Sequence, residues 1–342
     1  MGDGYPVGVQ GVERGRHAVV AHDNVGGVTR TRPTLNLPWA ALGVVYVLWG
    51  STYLANRLII TTVPPLLAGG FRFLVGGALL VLVVLAVAGP GALRMSLAQF
   101  GTTALSGLLL PAWGNGLVVL GQQAVASGLA ALLIAAVPLW IVILRAVTGD
   151  RPRAATVGGV AVGVVGLAVL VLAGPGSGGV SGSAWWGPWL VLLASLGWAT
   201  GTFATTRLPV PANPFAMAAV QMLVGGVILM VAGTAAGERV DPAAITVVSW
   251  WAWVYMAVVV SLGAFSAYAF ALSTLPVSTV ATYAYVNPVL AVLLGVLVVG
   301  ERFTPLQLVG GAIVLVAVVL VIVAERPSPA RKRRTPMAAS GP

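Results

Sequence analysis

Two stretches of this chain repeat each other, and the repetition constrains the fold more than any single motif does. Residues 125–151 align with residues 276–302, so that Ser127 meets Ser278 and each stretch ends in a Gly-acid-Arg turn. Each stretch is an apolar run long enough to cross a bilayer as a helix. A match at a separation of about 150 residues indicates an internal duplication.

The duplication extends towards the N-terminus of both stretches. At a constant separation, Trp49 aligns with Trp198 and Arg72 aligns with Gln221. The residues that follow this arginine and this glutamine also match, and both segments contain a Gly-Gly pair. The chain therefore consists of two halves built on one design.

The composition places both halves in a membrane. Hydrophobic residues make up 58% of the chain and charged residues only 8%, whereas soluble domains are about a quarter charged. The chain has no cysteine, which excludes disulfides and thiolate metal sites. Its two histidines, His17 and His22, lie in a polar N-terminal tail. We therefore expect no metal and no cofactor, and no buried histidine for acid–base chemistry.

Ten apolar runs have spanning length and are joined by short connections rich in Pro and Gly. They predict a disordered cytoplasmic tail over 1–37, a first repeat over 38–173, a linker on the outer side over 174–184, a second repeat over 185–324 and a basic tail over 325–342. The predicted spans are Trp39–Ile60, Leu66–Ala88, Gln99–Gly121, Ser127–Val147, Ala154–Ala173, Trp186–Thr206, Pro214–Ala232, Val247–Leu272, Val277–Val299 and Pro305–Ala324.

The placement of arginine predicts the orientation. With the N-terminus inside, fourteen of the 18 basic residues fall in inner segments and three in outer ones. Cytoplasmic segments retain Lys and Arg, so both termini are expected in the cytoplasm. Tryptophans cluster at the outer starts of spans six and eight, where an aromatic belt at the membrane interface would lie, so they support the same orientation. The net charge of +10 lies in tails and loops of one side, which argues against nucleic acid as the partner.

Five helices per half is an odd number, so the second half enters the membrane upside down relative to the first. The predicted fold class is an all-α integral membrane protein of ten transmembrane helices in two inverted five-helix repeats. Inverted repeats are a recurring plan of transporters, whose substrate site lies at the repeat interface near the midplane.

The same residues resemble the EamA branch of the drug/metabolite transporter superfamily, and within it the YedA-like inner-membrane exporters. The resemblance covers roughly residues 38–324. It implies ten helices in a bacterial plasma membrane, both termini inside, and export of amino acids, drug-like amphiphiles or other small metabolites. The matching pieces are Trp49–Leu54, Pro64–Leu80 with its internal Arg72, Ser127–Trp140 and Thr282–Glu301.

Polar side chains inside spans are costly and tend to face the interior of a helix bundle, so they are the candidates for a substrate pathway. In span one, Ser51, Thr52 and Asn56 are expected to share a face, although small polar residues also join helices by hydrogen bonds. The candidates in spans one and six are Trp49, Ser51, Thr52, Tyr53, Asn56, Trp198, Thr200 and Thr202.

Arg72 is the one charged residue deep within a span, and Gln221 takes its place in the second half. All eight acids lie in loops, tails or span ends, so no carboxylate partner is evident. The guanidinium could bind backbone carbonyls, water in a cavity or a substrate carboxylate, or it could extend to the outer interface.

Two further groups flank helix-disturbing residues. Trp113 and Asn115 lie beside Pro111 and Gly114 in span three, where a broken helix would free carbonyls near a binding site. Tyr283, Tyr285 and Asn287 precede Pro288 in span nine, although tyrosine is also common between packed helices.

Other features have a structural interpretation. The glycines of spans two, five and seven, Gly159 and Gly163 among them, are expected to allow close helix packing. The Asp150-Arg151 and Glu301-Arg302 turns are expected to form local ion pairs and helix caps.

The leading functional hypothesis is a small-molecule exporter that works by alternating access. A membrane-embedded lipid-modifying enzyme is disfavoured, since such an enzyme needs a nucleophile, base or metal at interface depth. A passive channel remains an alternative. The expected partners are a small-molecule substrate and the lipid bilayer, and the sequence leaves open whether the chain acts as a monomer or as a homodimer.

Overall fold

Helices form the regular structure of this protein. The computed structural model describes residues 37–173 and 185–325, and these ranges contain no strand. The predicted linker and nearly all of both predicted tails lie outside the described residues. Eight helices in the described ranges are long and apolar enough to cross a membrane, and a shorter apolar helix spans Tyr283–Val299. Trp186–Arg207 is a further helix of 22 residues. The ten-span inverted topology stays a prediction.

The elements follow the apolar runs of the sequence, with two π-helical segments named π1 and π2. A short 3-10 turn, Pro90–Leu93, connects α3 and α4. The elements are α1 (Leu37–Gly50), α2 (Thr52–Ile59), α3 (Pro65–Ala88), α4 (Leu97–Gly107), π1 (Leu108–Asn115), α5 (Gly116–Gly121), α6 (Ser127–Ile134), α7 (Val137–Val147), α8 (Ala154–Leu172), α9 (Trp186–Arg207), α10 (Pro214–Ala235), α11 (Val247–Val254), π2 (Tyr255–Ala264), α12 (Phe265–Thr274), α13 (Val277–Val280), α14 (Tyr283–Val299) and α15 (Pro305–Ala324).

Local sequence signals explain many of the helix ends. Pro65, Pro214 and Pro305 each open a helix, where the missing N–H of proline has no intrahelical acceptor in any case. Thr304 and the glutamine three residues later form a capping box at the start of α15. Gly300 ends α14 with a φ of 68°, a left-handed conformation that favours glycine.

Equivalent helices of the two halves pack against each other, α3 against α10 and α8 against α15. A Cβ added at Gly226 of α10 would lie 2.9 Å from the Leu74 amide nitrogen of α3, so this contact requires glycine. A Cβ at Gly159 of α8 would lie 2.9 Å from the Val321 side chain of α15, and one at Gly163 would clash with α7. The prediction that these glycines serve packing is confirmed.

Both halves widen into a π-helix in their third apolar segment. π1 and π2 occupy nearly equivalent places when the two halves are aligned at the separation that matches Trp49 with Trp198. The expected break at Pro111 and Gly114 is thus a local widening of the helix. π-Helical turns occur mostly at functional sites, because they redirect side chains and leave carbonyls without an i+4 donor.

The prediction of local ion pairs at the two Gly-acid-Arg turns is wrong. Asp150 pairs with Arg145 at 3.1 Å and with Arg207 at 2.9 Å, which joins the ends of α7 and α9. The Arg145 guanidinium holds the pKa of the Asp150 carboxyl below its ordinary value. Glu301 accepts hydrogen bonds from the first backbone N–H groups of α6, starting at Ser127. The helix-cap part of the prediction holds for Glu301, which caps α6 of the other half, whereas Asp150 has its partners five residues earlier and on α9.

One predicted member of the aromatic belt lies inside the protein. Trp253 is 6% exposed, and its indole N–H donates to the Ala68 carbonyl at 2.9 Å. Trp185, Trp189 and Trp251 have exposed side chains, as a belt at the membrane interface requires.

Candidate substrate cavity

A cavity of about 290 Å³ lies between the two halves of the chain, and its lining is mainly apolar. Helices of both repeats contribute to it, including α2, α3 and α6 of the first repeat and α9, α10 and α14 of the second. Ten of the fifteen candidate pathway residues line this one space. They are Trp49, Thr52, Tyr53, Asn56, Arg72, Asn115, Trp198, Gln221, Tyr283 and Asn287.

Arg72 is buried on α3, where 8% of the residue is exposed. Its guanidinium donates one hydrogen bond of 3.3 Å to the Asn56 side-chain oxygen and lies 4.3 Å from the centre of the Phe73 ring. Its Nε has no hydrogen-bond partner among the described residues. This burial rules out extension of the side chain to the outer interface. The cation instead lies at the cavity with part of its donor capacity unused.

No carboxylate among the described residues lines the cavity to balance this cation, and Arg72 is the single charged residue of the lining. A buried guanidinium without a counter-ion is costly unless water or a ligand solvates it. The planar fork of a guanidinium binds a carboxylate through two parallel hydrogen bonds. The cavity therefore presents an anion-binding point within an apolar surround.

The polar face of the first span differs from the predicted one. Thr52 and Asn56 line the cavity, four residues apart on one face of α2. Ser51 faces away and hydrogen-bonds the Tyr255 hydroxyl at 2.6 Å and the Leu48 carbonyl at 3.0 Å. Because adjacent helical residues point about 100° apart, Ser51 cannot share the face that holds the other two. It joins α2 to the neighbouring helix instead.

Aromatic rings form one wall. The ring centres of Trp49 and Tyr283 are 4.9 Å apart in an edge-to-face arrangement, and Tyr268 lies 5.0 Å from the same tryptophan. Trp49 and Tyr283 line the cavity, whereas Tyr268 supports them from behind. Tyr285 is not a lining residue and packs against the core cluster around α6 and α7. The wall offers an apolar surface with weakly polar edges, which suits an amphiphilic ligand.

The two tryptophans of π1 and α9 have different roles. Trp198 lines the cavity and leaves no room for a Cβ at Gly114, which would lie 2.3 Å from the indole. Trp113 is 41% exposed, covers Gly197 and donates to the Leu193 carbonyl at 3.0 Å. Trp113 therefore serves the contact between π1 and α9 rather than the cavity.

The threonines predicted in α9 are not part of the lining. Thr200 donates to the Leu196 carbonyl at 2.8 Å, as a helical threonine commonly does. The backbone carbonyl of Thr202 accepts from Thr205 at 2.7 Å. The polar groups of the second half that do reach the cavity include Gln221, which donates to the Ser106 hydroxyl at 2.7 Å.

Asn287 supplies a second unsatisfied polar group. It is 8% exposed, lines the cavity, and its Oδ1 is buried with no hydrogen-bond partner among the described residues. Buried polar atoms of this kind normally have a partner, so each such atom calls for an explanation. A ligand that carries a donor group near Asn287 would provide one.

Several lining residues were not predicted. Pro111, Pro138 and Pro288 all line the cavity, as do Phe73 and Ser261. The three prolines carried a usable signal, because a proline in a helix cannot donate to the carbonyl four residues earlier and so marks a place where the helix deviates. Phe73 and Ser261 carried no signal that separates them from other core residues.

The described residues contain no cluster of three or more side chains that could hold a metal ion. Among the residues that the structure describes, no Asp, Glu, His or Cys lines the cavity. Its groups can bind and orient a molecule with an anionic head and an apolar body. They do not provide an evident proton shuttle or nucleophile.

Both halves of the chain match one known protein family. The profile described as the EamA-like transporter family matches twice, over residues 37–172 and 185–323. The uncharacterised inner membrane transporter YedA of Escherichia coli (strain K12) is 35% identical over 294 residues, which is 86% of this chain and 93% of that protein. A probable terminal-alkyne amino-acid exporter of Streptantibioticus cattleyicolor is 32% identical over 204 residues, 59% of this chain and 66% of that protein.

A more distant relative and a solved structure extend the comparison. A WAT1-related chloroplastic protein of Arabidopsis thaliana is 26% identical over 290 residues, 83% of this chain and 69% of that protein. A crystal structure superposes with a TM-score of 0.57 at 19% identity and covers 85% of this chain and 98% of the other. The superposition concerns the fold alone.

Proposed function

The chain belongs to the EamA-like transporter family, and from that premise we propose that it exports small amphiphilic carboxylates, amino acids among them, across a bacterial plasma membrane. The substrate occupies the cavity between the two repeats, with its carboxylate on Arg72 and its apolar body against the aromatic wall. The protein is a membrane transporter and not an enzyme, in keeping with its family.

The observation that carries the proposal is the buried, incompletely bonded guanidinium of Arg72 in an otherwise uncharged cavity. A substrate carboxylate would supply the missing acceptors. The terminal-alkyne amino-acid exporter of Streptantibioticus cattleyicolor is a relative whose name fits this chemistry. Asn287, with its unsatisfied oxygen, is the group that would contact a donor elsewhere on the substrate.

Transport proceeds by alternating access between two inverted five-helix repeats, with both termini in the cytoplasm. The support for this topology is the excess of basic residues in segments of one side and the double match of the family profile. Inverted repeats can exchange conformations with each other, which opens a central site to one side at a time.

The test uses purified protein in liposomes with an excess of unlabelled amino acid inside and a trace of radiolabelled amino acid outside. A carrier accumulates label transiently by counterflow, whereas a passive channel does not. Amino acids that are toxic to the host strain, and to which overexpression of this protein confers resistance, would be tested first. We expect counterflow of an amino acid, and we expect that its methyl ester does not compete with it for transport. Absence of counterflow for every one of these amino acids would contradict the proposal.

A further inference from the structure

The loop after α14 reaches across to the first repeat and holds the start of α6. Glu301 follows the left-handed turn at Gly300 and is 5% exposed. Its Oε1 accepts from the Ser127 backbone N–H at 2.6 Å, and its Oε2 accepts from the Gly128 N–H at 3.1 Å. A carboxylate at a helix N-terminus satisfies free N–H groups and interacts favourably with the helix dipole.

The surroundings of the Glu301 carboxylate are closely packed. A Cβ at Gly295 would lie 2.2 Å from the Glu301 carboxylate, so the helix must have glycine there. A Cβ at Gly128 would lie 2.7 Å from the Phe303 ring and 2.8 Å from the Val292 Cα. The side chain of Glu301 and the ring of Phe303 thus fill the space where α14 meets α6.

The contact between the start of α6 and the end of α14 lies beside the cavity. Ala131 lines the cavity one turn along α6 from the capped residues, which is about 6 Å at the rise of an α-helix. At the same end of the protein, the Gln122 side chain donates to the Tyr53 carbonyl at 2.8 Å, and Arg57 donates to the Gln122 carbonyl at 2.9 Å. These bonds join the connection before α6 to α2.

The opposite end of the same helices is arranged differently. α6 packs against both α14 and α9, whereas α7, which follows α6 from Val137, packs mainly on α9. Asp150, the aligned counterpart of Glu301, is bound to Arg145 and Arg207 and caps no helix of the other repeat. The carboxylate cap between repeats therefore exists at one end of the cavity and has no equivalent at the other end among the described residues.

We propose that the Glu301 cap on α6 is a releasable lock, which closes the cavity on its extracellular side and must open in each transport cycle. The inference rests on the alternating access proposed above. The lock is polar, and opening exposes the carboxylate and the N–H groups to water, which solvates both. An apolar contact of the same area would expose nonpolar surface to water on opening, and no solvation of polar groups would offset that cost.

The chain contains a matched control for this lock. Glu238 follows the left-handed turn at Gly237 and accepts from the Leu66 and Leu67 backbone N–H groups at 3.2 and 2.8 Å. This cap has the same chemistry, but it lies within the α3–α10 pair, which packs closely along both helices. Loss of this cap should affect stability without opening the cavity.

The experiment introduces Val118→Cys into the chain, which has no native cysteine, and measures its labelling by a membrane-impermeant maleimide in intact cells. Val118 is buried, lines the cavity and lies one helical turn before Gln122. We expect Glu301→Gln to raise the labelling rate about tenfold, since only the closed state has these charge-assisted hydrogen bonds. Glu238→Gln should leave the rate unchanged. Ser177→Cys in the same cells reports separately which side is outside.

Equal labelling in both variants, or no increase with Glu301→Gln while Ser177→Cys reacts, would overturn the lock. This readout needs no substrate, so it does not depend on the proposed cargo. A second variant covers poor folding of Glu301→Gln. Glu301→Asp retains the negative charge, but its side chain is one methylene shorter and cannot reach both α6 N–H groups as Glu301 does. It should also raise the labelling rate of Val118→Cys, whereas a rate equal to that of Val118→Cys alone would refute the proposal.

Discussion

Replacement of Arg72 should separate carboxylate recognition from folding. In the structure, the guanidinium has one hydrogen bond to Asn56 and a contact of 4.3 Å with the Phe73 ring. A bound carboxylate would add two charge-assisted hydrogen bonds, each worth about 1.5–3 kcal/mol. Glutamine, the residue at the equivalent position 221, offers neutral donors and no fork. We therefore expect Arg72→Gln to lose about 3 kcal/mol of substrate binding, roughly a 150-fold weaker interaction.

Arg72→Lys gives an intermediate result. Lysine retains the charge but offers a point charge in place of a planar fork, so one of the two parallel hydrogen bonds is lost. The expected loss is about 1.5 kcal/mol, near tenfold. Both variants should insert and purify normally, since Arg72→Gln removes the desolvation cost of a buried cation and Arg72→Lys leaves the charge of the cavity unchanged.

The assay is counterflow in proteoliposomes, with an amino acid and its methyl ester measured side by side. Phe73→Leu is the matched control, because it removes the ring under the guanidinium and leaves the charge in place. Its effect on the acid and on the ester should be equal and small. If Arg72→Gln reduced transport of both compounds equally, or left both intact, Arg72 would be a structural residue and the carboxylate site would be wrong.

Four further outcomes follow from the sequence and the fold. Ser177→Cys should react with an impermeant maleimide in intact cells while Ser328→Cys should not, and the reverse pattern would contradict the predicted orientation. A pH gradient alone should not drive uphill uptake into proteoliposomes, because the predicted spans contain no Asp, Glu or His that could carry protons. Gly226→Ala should lower the free energy of unfolding by about 1–3 kcal/mol, because the added methyl group overpacks the contact. Gly43→Ala should leave it unchanged, because the space around Gly43 is open. The Arg145 hydrogen bond lowers the pKa of Glu325 from its ordinary 4.5, so the stability it provides is complete above that pH and is lost as the pH falls below it. Melting temperatures measured down to pH 3 should therefore fall more steeply for the wild type than for Glu325→Gln.

Which side chains share the cavity was predictable only in part. The helical face of Asn56 and Thr52 follows from their spacing of four residues, and both line the cavity. Ser51, one residue earlier, was assigned to the same face and lies instead against Tyr255. A sequence shows which residues share a helical face, but not which of two polar faces a neighbouring helix will cover.

The partners of the acids show the same limit more clearly. Asp150 and Glu301 occupy equivalent turns, and the sequence offered each an arginine next to it. In the fold, Asp150 binds Arg207, and Glu301 caps a helix that begins 174 residues earlier in the chain. The sequence predicts that a helix begins at Ser127, but it does not show that Glu301 lies beside that helix start, so the cap could not be assigned in advance.

The sequence by itself determined the class of this protein, its duplication and the positions of its helices. These properties are local, because apolar run length, proline placement and residue spacing depend on neighbours along the chain. The tertiary structure decided that Arg72 is buried at the cavity, that Trp113 and Tyr285 are not part of the lining, and that Glu301 joins the two repeats. Such facts depend on how helices far apart in sequence are placed in space, and only the packing of the whole bundle sets that placement.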